Sequence, residues 1–125
     1  MPVSIPRVLI VEDEPMILFM LEDLLTEAGF EVAGVATALE PALSLIETCG
    51  LDAVLLDANL AGVSSAPAAL ALTARAIPFL VVSGYSEAQQ HGAYAGGLYV
   101  SKPFKTETLI AALRSILPAS TTLPT

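Results

Sequence analysis

Four of the five apolar runs in this sequence are followed within two residues by side chains that can do chemistry. Three acids follow the first run, one acid follows the third, a serine follows the fourth and a lysine follows the fifth. These residues are Glu12, Asp13, Glu14, Asp57, Ser83 and Lys102. A carboxylate can act as a nucleophile, while a hydroxyl and an ammonium group can stabilise the oxygens of a transferred phosphoryl group.

A cluster of carboxylates is costly unless a cation balances it. Two carboxylates about 4 Å apart repel each other by roughly 1 kcal/mol in water, and by about 4 kcal/mol at the effective dielectric near a protein surface. Lys102 supplies one positive charge. Mg²⁺ suits the remainder, because it prefers one or two carboxylates together with water and a phosphoryl oxygen. The set therefore predicts metal-assisted phosphoryl transfer to a carboxylate.

Each of these residues also has a structural explanation. The three acids from Glu12 to Glu14 can stabilise the start of a helix through its dipole. Taken alone, they fit this structural explanation as well as a functional one. Ser83 and Lys102 are individually weak signals at strand ends. Asp57 is harder to explain structurally, because a carboxylate at the end of an apolar strand is costly unless it is paired. The combination of all four positions indicates function.

The apolar runs that must position these residues have the length of buried strands. They are Val8–Val11, Val32–Val35, Ala53–Leu56, Phe79–Val82 and Leu98–Val100. Segments of helical composition separate them, which predicts an α/β fold with a parallel sheet covered on both faces. In an open parallel sheet the ligand site lies outside the carboxyl ends of the strands. The chemical residues should therefore meet at one edge.

Proline and glycine mark the predicted helix ends. The first helix should begin after Asp13 or Glu14, with Pro15 in its first turn, and stop at Gly29. The others are predicted over residues 40–50, from residues 64–67 to before Ile77, and over about 106–117, with a short, weakly specified helix from Ser86. Residues 1–118 should form one domain, followed by a flexible tail over residues 119–125.

Charge and composition narrow the class of protein. Thirteen acids face five bases, for a formal net charge of -8, so direct nucleic-acid binding is not expected. The single cysteine, Cys49, fits a reducing compartment. The N-terminus lacks the pattern of a signal peptide, and the least charged stretch, residues 58–74, is interrupted by glycine, serine and proline. A cytoplasmic location without membrane insertion is therefore expected.

The segments around the chemical residues resemble the four signature segments of receiver domains of two-component response regulators. They are Val8–Pro15, Leu55–Leu60, Val82–Gly84 and Lys102–Phe104. The resemblance covers essentially the whole chain and implies a flavodoxin-like (βα)5 three-layer sandwich, with a five-stranded parallel sheet in the order 2-1-3-4-5. It also implies a signalling phosphoacceptor in a phosphorelay, which catalyses only its own phosphorylation and dephosphorylation and is not otherwise an enzyme.

The resemblance assigns roles to the acids. Asp57 would be the phosphoacceptor, and Glu12 and Asp13 would be the acidic pair that holds Mg²⁺, or Mn²⁺, beside it. The backbone carbonyl of Asn59 would complete the protein's share of the metal shell.

The resemblance also assigns the signalling residues. Ser83 would hydrogen-bond the phosphoryl oxygen, Lys102 would pair with it, and Tyr99 falls where the family has its switch aromatic. The segments before and after Ser83 are shorter than usual in the family, which makes the chain similar to a single-domain subgroup with a Phe-Ala-Thr-Gly-aromatic signature. Tyr85 then becomes a second candidate for the switch.

The first helix carries more apolar residues than one buried face needs. A core stripe at helical spacing is predicted for Ile17, Met20, Leu21 and Leu24. Leu18, Phe19 and Leu25 are then left as candidates for a partner-docking surface, unless the last helix covers them. By resemblance the partner would be a histidine kinase or a histidine phosphotransfer protein, and the protein a monomer or a phosphorylation-dependent dimer.

Three other readings fit the residues less well. A phosphatase of the haloacid dehalogenase type needs a second aspartate two residues after the nucleophile, where this chain has Asn59. A flavodoxin-type FMN binder needs a loop rich in serine, threonine and glycine after the first strand, where this chain has three acids. A degenerate receiver acting only as an interaction module is disfavoured by the intact set of Asp57, Asp13, Ser83 and Lys102.

Overall fold

Strands and helices alternate along the chain in the computed structural model, which describes residues 5–84 and 92–117. The described strands are β1 (Arg7–Val11), β2 (Glu31–Ala36), β3 (Ala53–Asp57), β4 (Asn59–Leu60), β5 (Val63–Ser64), β6 (Phe79–Ser83) and β7 (Leu98–Ser101). The described helices are α1 (Pro15–Glu27), α2 (Leu39–Thr48), α3 (Ala66–Ala74) and α4 (Thr106–Ile116), and a single 3-10 turn covers Gly92–Tyr94.

Five of these strands form one parallel sheet in the order β2-β1-β3-β6-β7. Numbered within this sheet alone, that order is 2-1-3-4-5, so the predicted topology is confirmed. The strands β1, β3 and β6 are central. All their residues are buried except Arg7 at the start of β1, which is half-buried. Burial on both faces explains why these strands read as continuous apolar runs.

Successive residues of each central strand face opposite sides of the sheet and enter two separate cores. In β1, Val8 and Ile10 belong to the core beneath α1 and α4, whereas Leu9 and Val11 belong to the core beneath α2 and α3. The two cores account for most of the apolar burial of the described residues, and they hold the carboxyl ends of the strands at one edge.

The helix boundaries follow the predicted signals closely. Pro15 is the first residue of α1, and Gly29, with φ of 97°, follows the helix in a conformation that favours glycine. The helix α3 ends at Ala74, before Ile77 and Pro78. The weak helix predicted from Ser86 begins outside the described residues, as do Tyr85 and the predicted tail over 119–125.

The predicted division of α1 into core and surface was partly wrong. Leu25 was predicted for docking but is completely buried, because it lies one turn after Leu21 on the face that meets the sheet. Met20 was predicted for the core but is 41% exposed. Leu18 is half-buried against the core, and only Phe19 of the three docking candidates is exposed.

An exposed apolar surface nevertheless exists on this helix. Met16, Phe19 and Met20 are 83%, 70% and 41% exposed, and we call these three residues the α1 patch. Because they are spaced by three and four positions, they lie side by side on the helix. Within residues 5–84 and 92–117, every helix is too short or too polar to span a lipid bilayer.

A small antiparallel hairpin between β3 and α3 was not predicted. It pairs Asn59 with Ser64 and Leu60 with Val63. The two residues at its tip, Ala61 and Gly62, have φ of 53° and 89°, as in the tight turns that match the twist of a hairpin. The hairpin begins two residues after Asp57, so it forms part of the edge at which the site lies.

Gly97 is required by packing against the sheet, which gives a first prediction. A Cβ atom at Gly97 would overlap the ring of Phe79, which is almost completely buried in the core. We therefore expect Gly97→Ala to lower the free energy of unfolding by roughly 1–3 kcal/mol, as overpacked cores do. Urea unfolding followed by circular dichroism measures the change.

The matched control is Gly92→Ala. A Cβ atom at Gly92 would meet nothing within 4 Å, so this variant should be as stable as wild type or up to about 1 kcal/mol more stable. Equal urea midpoints for Gly97→Ala and wild type would contradict the packing argument.

Candidate functional site

Asp57 ends the buried strand β3 and is itself only 6% exposed. Both oxygens of its carboxylate accept a hydrogen bond. The Lys102 ammonium donates to Oδ2 at 3.0 Å, and the backbone N–H of Asn59 donates to Oδ1 at 3.1 Å. A buried carboxylate needs such partners, so the strand positions Asp57 and the neighbouring loops supply its hydrogen-bond donors.

Glu12 and Asp13 follow β1, the strand next to β3. Glu12 is 3% exposed, its backbone N–H donates to the Ala36 carbonyl, and its Oε2 accepts the backbone N–H of Glu14 at 3.1 Å. Asp13 is half-buried. One carboxylate oxygen from each of Glu12, Asp13 and Asp57 lies within 4.8 Å of the other two. The predicted convergence of these acids at one edge is what the structure shows.

Lys102 lies between two of these acids, directly after β7. Its Nζ is 3.0 Å from Oδ2 of Asp57 and 3.7 Å from Oε1 of Glu12. The peptide bond to Pro103 is cis. Burial lowers the pKa of Lys102, but its hydrogen bond to Asp57 and the charges of Asp57 and Glu12 outweigh burial and raise it. Lys102 is therefore a permanent cation in the site.

Glu12 carries the clearest electrostatic perturbation. Burial, followed by the negative charge of Asp57, raises the pKa of Glu12 to about 7. The hydrogen bond from the Glu14 backbone and the positive charge of Lys102 act in the opposite direction but do not cancel this rise. One ammonium group is thus insufficient for the three carboxylates. With all three ionised, the group of Glu12, Asp13, Asp57 and Lys102 has a net charge of -2 (three negative, one positive).

That charge and the all-oxygen donor set fit a hard divalent cation. Mg²⁺ binds oxygen ligands at about 2.0–2.1 Å in octahedral geometry, so ligands on opposite sides of the ion are about 4 Å apart. The separation of up to 4.8 Å among the three carboxylate oxygens is close to that value. The charge of a divalent cation would balance the excess of negative charge.

Ser83 and Tyr99 meet at the neighbouring strand end. Ser83 closes β6, is 5% exposed and pairs with Ser101 of β7. Its carbonyl accepts the Lys102 backbone N–H at 2.8 Å and the Tyr99 hydroxyl at 3.3 Å. Because Asp57 pairs with Val82, Ser83 lies one residue beyond it along the adjacent strand. The other switch candidate, Tyr85, is outside the described residues.

Sequence reasoning missed a contact next to Asp57. Tyr94, in the 3-10 turn, is 7% exposed, and its hydroxyl donates to the Ala58 carbonyl at 3.2 Å. The same hydroxyl lies 3.0 Å from Oγ of Ser65, which is completely buried. No local pattern marks this contact, because 36 residues separate Tyr94 from Ala58.

An apolar cleft adjoins the charged residues on the side of α1. It has a volume of about 400 Å³ and is lined by Ile17, Met20, Lys102, Pro103, Phe104 and Thr106. Met20 belongs both to this cleft and to the α1 patch. The charged site and the exposed apolar surface of α1 are therefore contiguous.

Comparisons with known proteins agree with this arrangement. Residues 8–114 match the family model of the response regulator receiver domain. The chain is 39% identical over 114 residues to the sensory transduction protein RegX3 of Mycobacterium tuberculosis, covering 88% of this chain and 50% of that protein. The chain thus spans about half the length of this curated relative.

Two solved structures illustrate the similarity of fold. The solution structure of SdrG from Sphingomonas melonis Fr1 is 37% identical, with a TM-score of 0.77 and coverage of 90% of this chain and 96% of that one. The receiver domain of the sensor histidine kinase PA1611 from Pseudomonas aeruginosa PAO1, described with a magnesium ion in its active-site cleft, is 23% identical, with a TM-score of 0.78 and coverage of 90% and 98%.

The parallel sheet with its acidic edge is that of a CheY-like flavodoxin fold. The chain belongs to the response regulator receiver domain family, whose members act in two-component signalling. The predicted subgroup with the Phe-Ala-Thr-Gly-aromatic signature stays a prediction.

The raised pKa of Glu12 predicts a pH dependence of stability in the absence of divalent cations. Its pKa rises from 4.5 to about 7 on folding, so between these values the folded state binds more protons than the unfolded state. The free energy of unfolding should therefore fall by roughly 1–3 kcal/mol as pH rises from about 4.5 to 7, and level off above that. Urea unfolding in EDTA at several pH values measures this slope.

The variant Glu12→Gln should lack most of this slope, because the amide is neutral throughout. Glu14→Gln is the matched control, since the Glu14 side chain is exposed, and it should keep the wild-type slope. An equal slope in wild type and Glu12→Gln would assign the pH dependence to other groups.

Proposed function

We propose that this receiver domain accepts a phosphoryl group on Asp57, in an Mg²⁺-dependent reaction with a phosphohistidine on a histidine kinase or a histidine phosphotransfer protein. The observation that carries the proposal is the contact of the Lys102 ammonium with the Asp57 carboxylate, beside the oxygens of Glu12 and Asp13. This arrangement pairs a nucleophile with a fixed cation and a set of oxygen ligands for a second cation.

In the proposed transfer, an Asp57 carboxylate oxygen forms a bond to phosphorus as the bond from phosphorus to the imidazole nitrogen breaks. The leaving imidazole keeps the electron pair of that bond, and Asp57 becomes an acyl phosphate. Lys102, which already contacts Oδ2, would pair with the phosphoryl oxygens, and the Ser83 hydroxyl would donate a hydrogen bond to one of them.

Glu12, Asp13 and the backbone carbonyl of Asn59 would hold the metal beside Asp57. When bound, Mg²⁺ would neutralise charge on the phosphoryl oxygens during transfer. Mn²⁺ has the same preference for oxygen ligands and is expected to substitute for it. The magnesium ion described in the PA1611 receiver cleft supports this assignment by analogy of fold.

The signal would leave the site through Ser83 and Tyr99. The Tyr99 hydroxyl donates to the Ser83 carbonyl, so a displacement of Ser83 towards the phosphoryl group would change the position of Tyr99 on the edge strand β7. Such a coupling shifts the population of a partner-binding surface without a large rearrangement. Tyr85 remains the alternative switch residue.

The α1 patch and the adjoining cleft are the proposed docking surface for the phosphodonor. Met16, Phe19 and Met20 replace the docking set suggested by sequence, because Leu25 is buried and Leu18 is half-buried. An apolar patch beside the phosphoacceptor would place an incoming helix, and its phosphohistidine, next to Asp57. The cytoplasm as location and a monomer or phosphorylation-dependent dimer are part of this proposal.

The acceptor is tested by labelling with a small phosphodonor. Asp57→Asn removes the nucleophilic carboxylate, so incubation with acetyl phosphate and Mg²⁺ should give no gain of one phosphoryl group in the intact mass. Asp23→Asn, the same change at an exposed position of α1, is the control and should label like wild type. Labelling of Asp57→Asn at wild-type stoichiometry would overturn the assignment.

The docking surface is tested with Phe19→Ala. Phosphotransfer should be measured from the histidine kinase of the source organism that labels the wild type fastest. A central aromatic contact typically contributes more than 1 kcal/mol, so transfer should slow about tenfold. Labelling by acetyl phosphate should not change, because the chemistry is untouched.

Leu70→Ala is the matched control for this experiment. Leu70 is 57% exposed on α3, on the opposite face of the sheet from α1, and its truncation should leave transfer within about twofold of wild type. Equal transfer rates for Phe19→Ala and wild type would show that the α1 patch is not the docking surface.

A further inference from the structure

Tyr94 lies outside every role assigned so far, yet its hydroxyl touches the backbone directly after the phosphoacceptor. The hydroxyl is 3.2 Å from the carbonyl oxygen of Ala58, the residue between Asp57 and Asn59. Tyr94 is 7% exposed, so water does not compete freely for this contact. The contact therefore acts on the stretch of backbone that carries the proposed carbonyl ligand.

The directions of the hydrogen bonds follow from the single proton of each hydroxyl. Tyr94 donates its proton to the Ala58 carbonyl, so the Ser65 hydroxyl must donate to the Tyr94 oxygen, 3.0 Å away. The Ala58 carbonyl also accepts the backbone N–H of Ser65 at 3.1 Å. Ser65, Ala58 and Tyr94 thus form a closed set of three hydrogen bonds.

This set lies at the base of the β4–β5 hairpin. Ala58 and Ser65 immediately flank the hairpin, and their backbone hydrogen bond closes it. On the other side, the backbone N–H of Ala58 donates to the Val82 carbonyl at 3.0 Å. Ala58 is therefore fixed by β6 through its N–H and by Tyr94 and Ser65 through its carbonyl, which leaves Asn59 little freedom at its attachment to the sheet.

We propose that the Tyr94 hydroxyl is a positioning group for the metal site, which holds the Ala58 carbonyl and so fixes the backbone of Asn59 where it can bind Mg²⁺. A metal ligand supplied by backbone depends on the placement of that backbone, because Mg²⁺ tolerates little deviation from octahedral geometry. The inference rests on the proposed metal site and adds a residue that no signature segment contains.

The contact also makes metal binding and the 3-10 turn Gly92–Tyr94 mutually dependent. If Tyr94 favours the binding-competent position of Asn59, bound Mg²⁺ must favour the position of Tyr94 by the same factor. The turn ends at Tyr94, and β7, which contains Tyr99, begins at Leu98. Occupancy of the metal site is thereby linked to the segment that leads into the proposed switch strand.

The test compares Mg²⁺ affinity, measured by isothermal titration without a phosphodonor, in wild type, Tyr94→Phe and Ser65→Ala. Tyr94→Phe keeps the buried ring and removes the bond to Ala58, so the dissociation constant for Mg²⁺ should rise about three- to tenfold, within the range for groups that orient metal ligands. Ser65→Ala removes a bond to the same hydroxyl but leaves the bond to Ala58, so its affinity should stay within about twofold of wild type.

Both variants should melt at lower temperature than wild type, so thermal unfolding alone does not separate the roles. A purely structural Tyr94 would lower the melting temperature and leave the Mg²⁺ affinity of Tyr94→Phe at the wild-type value, which would overturn the proposal. An equal loss of affinity in Ser65→Ala would also overturn it, because packing rather than the Ala58 contact would then be responsible.

A second readout tests the linkage directly. Addition of Mg²⁺ to wild type should shift the backbone amide resonances of residues 92–97, and these shifts should be reduced in Tyr94→Phe; equal shifts would contradict the linkage. Wild type that binds no Mg²⁺ would refute the proposed metal site itself, whereas wild type and Tyr94→Phe that bind Mg²⁺ equally would refute only the role of Tyr94.

Discussion

The balance of charge around Asp57 is the constraint on which the rest of this structure depends. Three carboxylates face one ammonium group in a partly buried site, where each pair of like charges about 4 Å apart costs about 4 kcal/mol at an effective dielectric of roughly 20. A proton on Glu12 or a bound divalent cation can each relieve the excess. Burial, together with the negative charge of Asp57, raises the pKa of Glu12 to about 7, so a divalent cation bound here would compete with that proton.

The parallel sheet makes such an expensive cluster possible. Lys102 and Asp57 are 45 residues apart in sequence, but they follow strands whose carboxyl ends lie at the same edge. Two separate cores, one on each face, pack against the strands of this hydrogen-bonded sheet. The polar residues at the edge lie outside both cores, so their types can be set by the chemistry of the site.

Much of this arrangement could be read from the sequence, because strand runs and helix boundaries are local signals. The rotation of α1 about its own axis could not be read from the sequence, since apolar residues occur on every side of that helix. Only its contact with the sheet decides that Leu25 is buried and Met20 is exposed. The β4–β5 hairpin was also missed, because Ala61 adopts a positive φ without the usual asparagine or aspartate. The Tyr94 contact is long-range and leaves no local pattern.

Two tyrosine hydroxyls reach the backbone carbonyls on either side of the site, and their surroundings suit them to different roles. The Ala58 carbonyl accepts Tyr94 and the Ser65 N–H, and the Ser83 carbonyl accepts Tyr99 and the Lys102 N–H. Each carbonyl thus keeps a backbone hydrogen bond if its bond to the tyrosine breaks. The free energy lost on breaking the tyrosine bond is therefore only about 0.5–1.5 kcal/mol. Tyr99 is half-buried and can exchange its contact for water, as a switch requires. Movement of Tyr94 away from Ser65 would remove the acceptor of this buried hydroxyl, so Tyr94 suits the role of a fixed positioning group.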